Sequence, residues 1–214
     1  MSDSESESGY QTREVAKRVF AEELSESTYT FKESDDERAP TYALLPTGEK
    51  TNRVFFVGTL TETDDVGKDS EYWQGRIVDP TGTFFVYAGQ YQPEPAAKLR
   101  NLETPAYVAV VGKPRSYETD DGEIVISIRP ESITVVDAST RDKWVSDTVE
   151  RTVDRMETFG ESSDGYNQMA TEQYGDDLSD VKEWVVTALE SLDDDVATTE
   201  ADTDVDSDSA ETAS

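Results

Sequence analysis

The fold is decided by residues 72–91, whose sequence is YWQGRIVDPTGTFFVYAGQY. Segments rich in aromatic and β-branched residues stand on both sides of a central DPTG, and from residue 53 the sequence has a period of two, which is typical of half-buried β-strands. Asp, Pro and Gly in DPTG match the first, second and fourth positions of a type I turn. The stretch therefore predicts a β-hairpin with strands over 71–79 and 83–89.

Similar patterns lie on both sides of this hairpin. A strand over 53–62 is predicted before it, and a short helix beginning with prolines over 92–102 after it. Three further strands are predicted beyond the helix, over 105–114, 123–129 and 132–137. Short strands with a helix between the third and the fourth are the plan of an OB fold. We expect a mainly β OB-fold barrel over 50–138; an SH3-like barrel is the alternative, although it usually lacks that helix.

Helical extensions are predicted at both ends of the barrel. Residues 10–24 carry apolar side chains at helical spacing behind Thr12 as N-cap, and short strands follow at 27–34 and 40–46, so 10–49 form one extension. The region 139–192 is predicted to be helical. Its parts are a helix over 140–159 that Ser139 or Thr140 caps and Gly160 ends, a polar linker over 161–177, and a helix over 178–192.

Both termini are acidic and have little to bury, so disorder is expected for 1–9 and 193–214. The last 22 residues contain nine acids and no base. This tail is either a solvated brush or a DNA-mimicking regulator of a binding face. The sequence shows neither a signal peptide nor a long apolar run, so a cytoplasmic protein with no membrane partner is expected.

The composition excludes several kinds of chemistry. The chain of 214 residues has no Cys and no His, so disulfides, thiol nucleophiles, histidine acid–base catalysis and Cys/His zinc sites are ruled out. No catalytic motif is visible in the sequence. We expect a protein that is not an enzyme and that uses no cofactor and no metal.

The charge is distributed unevenly. The chain has 48 acidic and 19 basic residues, a net charge of −29, but residues 50–137 contain 14 acids and nine bases, a net charge of −5. The general acidity is typical of proteins that work in molar salt, where the Debye length is about 3 Å and net charge says little about partners. A nucleic-acid surface is therefore expected in the nearly neutral barrel.

In each strand of the hairpin, the aromatic side chains alternate between the two faces of the sheet. Alternation places Trp73, Ile77, Phe84 and Val86 on the core side. Aromatic side chains next to arginine suit single-stranded DNA, because bases stack on the rings and guanidinium groups contact phosphates. The predicted nucleic-acid-binding residues lie on the outer face of the hairpin, just after its second strand, and in the segment GKPR at 112–115. They are Tyr72, Gln74, Arg76, Phe85, Tyr87, Tyr91, Lys113 and Arg115.

Other interpretations of these residues stay open. The alternative is that the hairpin aromatics fill the core or pack against the helical extensions. A register slip of one residue would exchange the two faces, burying Phe85 and exposing Phe84. GKPR (112–115) is equally consistent with a solvated loop. The apolar faces of the C-terminal helices exceed what a small barrel needs, which predicts partner-binding residues at Trp144, Val145, Val149, Trp184 and Val185.

Several segments together resemble a known family. These are NRVFFVGTLTE, EYWQGRIVDPTGTFFVYAGQYQPEPAAKL, PAYVAVVGKPRSYE, RPESITVVD and TRDKWV, within about 10–158, and they are similar to the haloarchaeal replication protein A-associated proteins. The resemblance implies an OB-fold, single-stranded-DNA-binding accessory protein that works with a replication protein A large subunit in replication and repair. An assembly module of that complex with no direct DNA contact is the alternative.

Overall fold

The computed structural model describes residues 14–160 and 165–205. The elements, in chain order, are β1 (Lys17–Arg18), α1 (Ala21–Glu26), β2 (Thr30–Lys32), β3 (Thr41–Leu44), β4 (Lys50–Thr51), β5 (Val54–Asp65), β6 (Tyr72–Val78), β7 (Thr83–Gly89), α2 (Pro93–Asn101), β8 (Ala106–Glu118), β9 (Ile124–Val135), α3 (Ala138–Thr158), α4 (Gly165–Tyr174) and α5 (Ser179–Val205).

The strands β5 to β9 form a closed barrel. Neighbouring strands pair in the order β5-β6-β7-β9-β8, and β8 pairs back onto β5 to close the sheet. All of these pairs are antiparallel except β7–β9, which are parallel at Val86 and Ile128. This order, with α2 between the third and the fourth barrel strand, is that of an OB fold, which confirms the predicted fold class.

The helix α2 covers one end of the barrel. Leu99 is fully buried there. A Cβ atom built on Gly75 of β6 would lie 2.7 Å from Leu99 Cδ2, so the missing side chain leaves room for the leucine. The helix that the prolines and the run PAAKL predict thus completes the barrel core.

The last two predicted strands are one. The prediction of separate strands at 123–129 and 132–137 is wrong, because β9 runs unbroken over Ile124–Val135. Val111 pairs with Ser132, whereas Gly112 pairs with Pro130, so Glu131 is an extra residue in a β-bulge. The bulge accommodates Pro130, which has no N–H to donate to a regular ladder.

The predicted helix over 10–24 is also wrong. Residues 10–13, with the predicted N-cap Thr12, lie outside the described part. Lys17 and Arg18 are extended and pair in parallel with Val54 and Phe55 of β5, and the helix α1 begins only at Ala21. Val19, Phe20 and Leu24 are buried, but strand pairing at the barrel edge overrides the helical spacing of the apolar residues.

The two short strands predicted in this extension are confirmed as β2 and β3. With β4 they form a separate three-stranded antiparallel sheet, in the order β2-β3-β4. The turn between β3 and β4 is held by a hydrogen bond from the Gly48 N–H to the Leu45 carbonyl, and Gly48 has a positive φ of 83°. This small sheet lies across a groove from the end of β8.

The C-terminal helices differ from the prediction mainly at their ends. Asp137, not Ser139 or Thr140, caps α3 by accepting a hydrogen bond from the Thr140 N–H at 2.8 Å. Gly160 follows the helix end with φ 81°, as predicted. The predicted linker contains the ten-residue α4. The helix α5 continues past the predicted boundary at 192 and ends at Val205, whereas residues 1–9 and 206–214, also predicted to be disordered, lie outside the described part.

One buried cluster joins the extensions to the barrel. It contains side chains from the α1 region, from all five barrel strands and from α3 and α5. Across it, the rings of Phe20 and Trp144 meet edge to face, with centroids 5.6 Å apart. Within the described residues, no helix has the length and apolar character needed to span a membrane.

Candidate nucleic-acid interface

The hairpin β6–β7 has the two faces that its sequence predicts. Phe84, Val86 and Ala88 are buried in the barrel. Phe85, between them, is 36% exposed, and Tyr72 at the start of β6 is 44% exposed. The alternating pattern and the DPTG turn set this register, so the assignment of these residues to core and outer face is confirmed, whereas Trp73, predicted on the core side, is only partly buried.

The outer face of this hairpin carries an ordered pair of tyrosines. The rings of Tyr72 and Tyr87 stack with centroids 5.7 Å apart and planes 20° apart. Gln74 lies directly across from Tyr87 in the strand register, and its amide Nε2–H donates to the Tyr87 hydroxyl. This hydrogen bond and the stacking hold Tyr87 in place, so the orientation of the pair is fixed before a ligand binds.

Arg76 lies beside this tyrosine pair, directly across from Phe85. Its Nη1 donates to Thr61 Oγ1 at 3.2 Å and its Nη2 to Thr83 Oγ1 at 3.5 Å. It makes no ion pair with any residue that the structure describes. The two threonines, which the sequence analysis did not select, hold the guanidinium without neutralising its charge.

The hairpin β8–β9 extends the same outer face. Because Val86 pairs with Ile128 and both point inward, Tyr87 and Arg129 are neighbours on the outside. Lys113 pairs with Arg129, and Arg115 with Ser127, which places both predicted cations on this face. GKPR is therefore part of a strand and not a solvated loop.

Two guanidinium groups meet on this hairpin. Partial burial and then the positive charge of Arg129 lower the pKa of Arg115 below its usual range, although an arginine stays protonated at any ordinary pH. No carboxylate of the described residues pairs with either group. Two like charges held close together without an acid favour the binding of an anion such as a phosphate.

Tyr117 is a residue of this face that the sequence analysis missed. It stands two positions beyond Arg115 on β8, and burial and the nearby Tyr87 raise its pKa above the ordinary value. Its spacing to Lys113 and Arg115 is the period-two pattern of one strand face. Extending the predicted strand from 114 to 118 would have found it.

Tyr91 lies at the edge of the interface. It is 84% exposed in the turn after β7, and it lines the same shallow cavity as Arg129 and Glu131. We name the whole surface the aromatic face, which comprises the predicted nucleic-acid-binding residues together with Tyr117 and Arg129. Folding thus brings together residues from four strands and one turn.

The opposite border of the aromatic face is acidic. On β5, Glu62 lies across from Arg76, and Asp64 across from Gln74. Both side chains are exposed. A polyanion on the aromatic face is therefore repelled from the β5 side and attracted toward β9 and β8.

Four of the five predicted partner-binding residues are not available on the surface. Trp144, Val145, Val149 and Val185 are buried in this protein's own core, and only Trp184 is half-buried. The apolar area of the helices packs against the barrel and the α1 region, so the four buried residues are corrected to structural ones. The described residues contain no cluster of three or more side chains suited to a metal.

Protein-family models and curated proteins give no match to this chain. Solved structures with similar coordinates include asparaginyl-tRNA synthetase from Pyrococcus horikoshii, at 23% identity and a TM-score of 0.34, over 40% of this chain and 20% of the synthetase. Rim1, a mitochondrial single-stranded-DNA-binding protein from S. cerevisiae, has 20% identity and a TM-score of 0.32, over 40% of this chain and 92% of Rim1. The OBody NL8, bound to hen egg-white lysozyme, has 17% identity and a TM-score of 0.35, over 41% of this chain and 96% of the OBody.

This chain therefore spans a fifth of the length of the synthetase. At these identities and TM-scores the likenesses say nothing about a ligand. The fold assignment rests on the strand order and on the closure of β8 onto β5, which make this chain an OB-fold protein.

Proposed function

We propose that this protein is a non-catalytic, single-stranded-DNA-binding OB-fold protein. The observation that carries the proposal is the aromatic face, where exposed rings stand next to arginines that form no ion pair with the described residues. The pair of Tyr72 and Tyr87 offers stacking surface for bases, and each base stacked on an aromatic side chain contributes about 1–3 kcal/mol. Arg76, Arg115 and Arg129 stand where the phosphates of such a strand would pass.

The unusual chemistry of this face suits binding in concentrated salt. Affinity that comes from phosphate contacts falls steeply with salt, because the counterions released on binding are already abundant in solution. Stacking does not have this dependence. A chain with a net charge of −29 that holds DNA in molar salt therefore relies on rings more than on cations.

We further propose that the protein acts in the cytoplasm as an accessory of a replication protein A large subunit, in DNA replication and repair. The support for this step is the resemblance of the barrel and TRDKWV segments to the haloarchaeal replication protein A-associated proteins.

The decisive test is fluorescence anisotropy of labelled oligothymidine with the purified protein in about 2 M KCl, alone and together with the large subunit. Binding by the protein alone supports the aromatic face as a DNA surface. If DNA binds only when the large subunit is present, direct contact is refuted and assembly becomes the function.

An assembly module without DNA contact is the second candidate. It is favoured by Val186 and Leu189, which are exposed three residues apart on the outer side of α5. Deletion of 139–192 would not test it, since α3 and α5 contribute to the core. The double substitution Val186→Asp and Leu189→Asp should abolish co-purification with the large subunit; undiminished co-purification would exclude this side of α5.

A further inference from the structure

A groove lies between the end of β8 and the small sheet β2–β4. On one edge, β8 pairs with β5 only as far as Gly112, which is opposite Val54, but the strand continues to Glu118. Beyond Gly112 this edge borders a groove of about 430 Å³ whose other wall is formed by β2 and β3.

The groove is basic in a very acidic protein. Its lining residues include three bases, Lys32, Lys113 and Arg115, and one acid, Glu37. The chain as a whole has 48 acids and 19 bases, so the ratio is inverted here. Lys32 Nζ donates to the backbone carbonyl of Glu37 at 3.4 Å and not to a carboxylate.

The groove continues the aromatic face. Lys113 and Arg115 line it, and both also stand on the outer face of β8–β9. On the opposite border of the aromatic face, Glu62 and Asp64 of β5 would repel a DNA strand. From this geometry we infer that the groove is a second subsite, which takes the phosphodiester backbone of a DNA strand as it leaves the aromatic face. The inference rests on the proposed function.

An extended peptide fits this groove less well than a nucleic acid. A free strand edge can accept a further β-strand, but Pro114 lies in this part of β8 and has no N–H. Proline and exposed cations in an edge strand discourage pairing with another strand. Hydroxyl and amide groups such as those of Thr41 and Asn52 complete a lining that suits phosphate and sugar.

The two subsites require different lengths of DNA. The aromatic face crosses from β6 to β8, three strand spacings of about 4.8 Å, or about 14 Å. This length matches about four nucleotides at a stacked spacing of about 3.4 Å. An oligothymidine of about five nucleotides would stay on the aromatic face, whereas one of about 15 would also reach the groove. Both lengths lie within the site sizes of OB folds, about 4–16 nucleotides.

The test substitutes Lys32→Gln, which removes one charge from the groove and none from the aromatic face. Its matched control is Lys98→Gln, an exposed lysine on α2 outside both subsites. Affinities for the two oligothymidines are measured by anisotropy over a KCl series. With the long oligothymidine, Lys32→Gln should make the slope of log affinity against log salt shallower by about 0.7, the value for one phosphate contact on a single strand. With the short one it should change nothing.

Each outcome decides a different claim. An unchanged slope with the long oligothymidine overturns the groove as a DNA subsite, as does an equal change in the Lys98→Gln control. If Lys32→Gln weakens co-purification with the large subunit and leaves the slope intact, the groove binds protein and the inference is wrong. Failure of the unsubstituted protein to bind either oligothymidine refutes the proposed function itself.

Discussion

At the scale of single residues, Phe85 and Arg76 separate the two sources of DNA affinity, because they face each other across β6 and β7. In about 2 M KCl we expect Phe85→Ala to weaken oligothymidine binding by about tenfold, since a stacked base contributes about 1–3 kcal/mol. Arg76→Ala should weaken binding less, because salt suppresses its phosphate contact. Anisotropy titrations measure both.

Leu189→Ala is the matched control for these substitutions, since it truncates an exposed apolar side chain on α5. It should leave DNA affinity unchanged. Losses for Arg76→Ala that equal or exceed those for Phe85→Ala would show that charge, and not stacking, holds the strand.

Asp79 shows how much one turn residue does. Its Oδ1 accepts hydrogen bonds from the Thr81 and Gly82 N–H groups, and its Oδ2 accepts the Ala21 N–H at the start of α1 at 2.8 Å. The sequence predicted only its place in the turn. Burial nevertheless raises the pKa of Asp79 to about 6, because desolvation outweighs these hydrogen bonds.

This raised pKa predicts a direction for the pH dependence of stability. The folded protein takes up a proton at Asp79 at a higher pH than the unfolded chain, whose aspartate pKa is about 3.9. The contribution of Asp79 to stability is therefore largest below about pH 4 and is lost as the pH rises through about 6. Urea unfolding gives the unfolding free energy of the protein minus that of Asp79→Asn. This value should fall from about pH 5 to about pH 7.5, because only the unsubstituted protein loses stability as Asp79 ionises. A value that rises with pH would contradict the prediction.

At the scale of elements, a buried ion pair ties α1 to α3. Arg155 Nη2 lies 2.6 Å from Glu23 Oε2, and the Glu23 side chain is fully buried. Thr47, from the turn between β3 and β4, donates to Glu23 Oε1 and accepts from Arg155 Nε. Three elements outside the barrel thus share one polar network.

Breaking this network should destabilise the protein strongly. Arg155→Met leaves the Glu23 carboxylate buried without its cation, which costs about 3–5 kcal/mol. Removing both charges with Glu23→Leu and Arg155→Met should recover most of this loss, because no buried charge remains. Urea unfolding measures all three proteins.

The control for this prediction lies on the same helix. Arg151 pairs with Asp154 at 3.6 Å, but both side chains are largely exposed, at 67% and 57%. Arg151→Met should change stability by less than about 1 kcal/mol. A similar effect of both substitutions would mean that the helix, and not the buried pair, governs the loss.

At the scale of the whole molecule, the net charge predicts how stability responds to salt. Residues outside 50–137 carry a net charge of −24, and like charges repel in the compact state. Raising KCl from about 0.1 M to about 2 M shortens the Debye length from about 10 Å to less than about 3 Å. The unfolding midpoint temperature should rise, as measured by circular dichroism. An unchanged midpoint in KCl would contradict the prediction.

The barrel and the orientation of its hairpin were predictable because they depend on local patterns. Period-two alternation and the DPTG turn decide which side chains of β6 and β7 face the core. The prolines at the start of α2 predict that helix. The part of the aromatic face on β6 and β7 was predictable for the same reason, since Tyr72 and Phe85 belong to this one hairpin.

The remaining features depend on contacts between distant segments, which no local pattern encodes. Lys17 and Arg18 are extended because they pair with the edge of β5. Trp144 is buried because it packs against Phe20 and the rest of the core. Arg129 and Tyr117 join the aromatic face only through the pairing of β8 with β9 and of β9 with β7. Alternation thus determined the faces of each strand, whereas long-range pairing and burial decided which faces meet, because their free energy exceeds the local preferences of the chain.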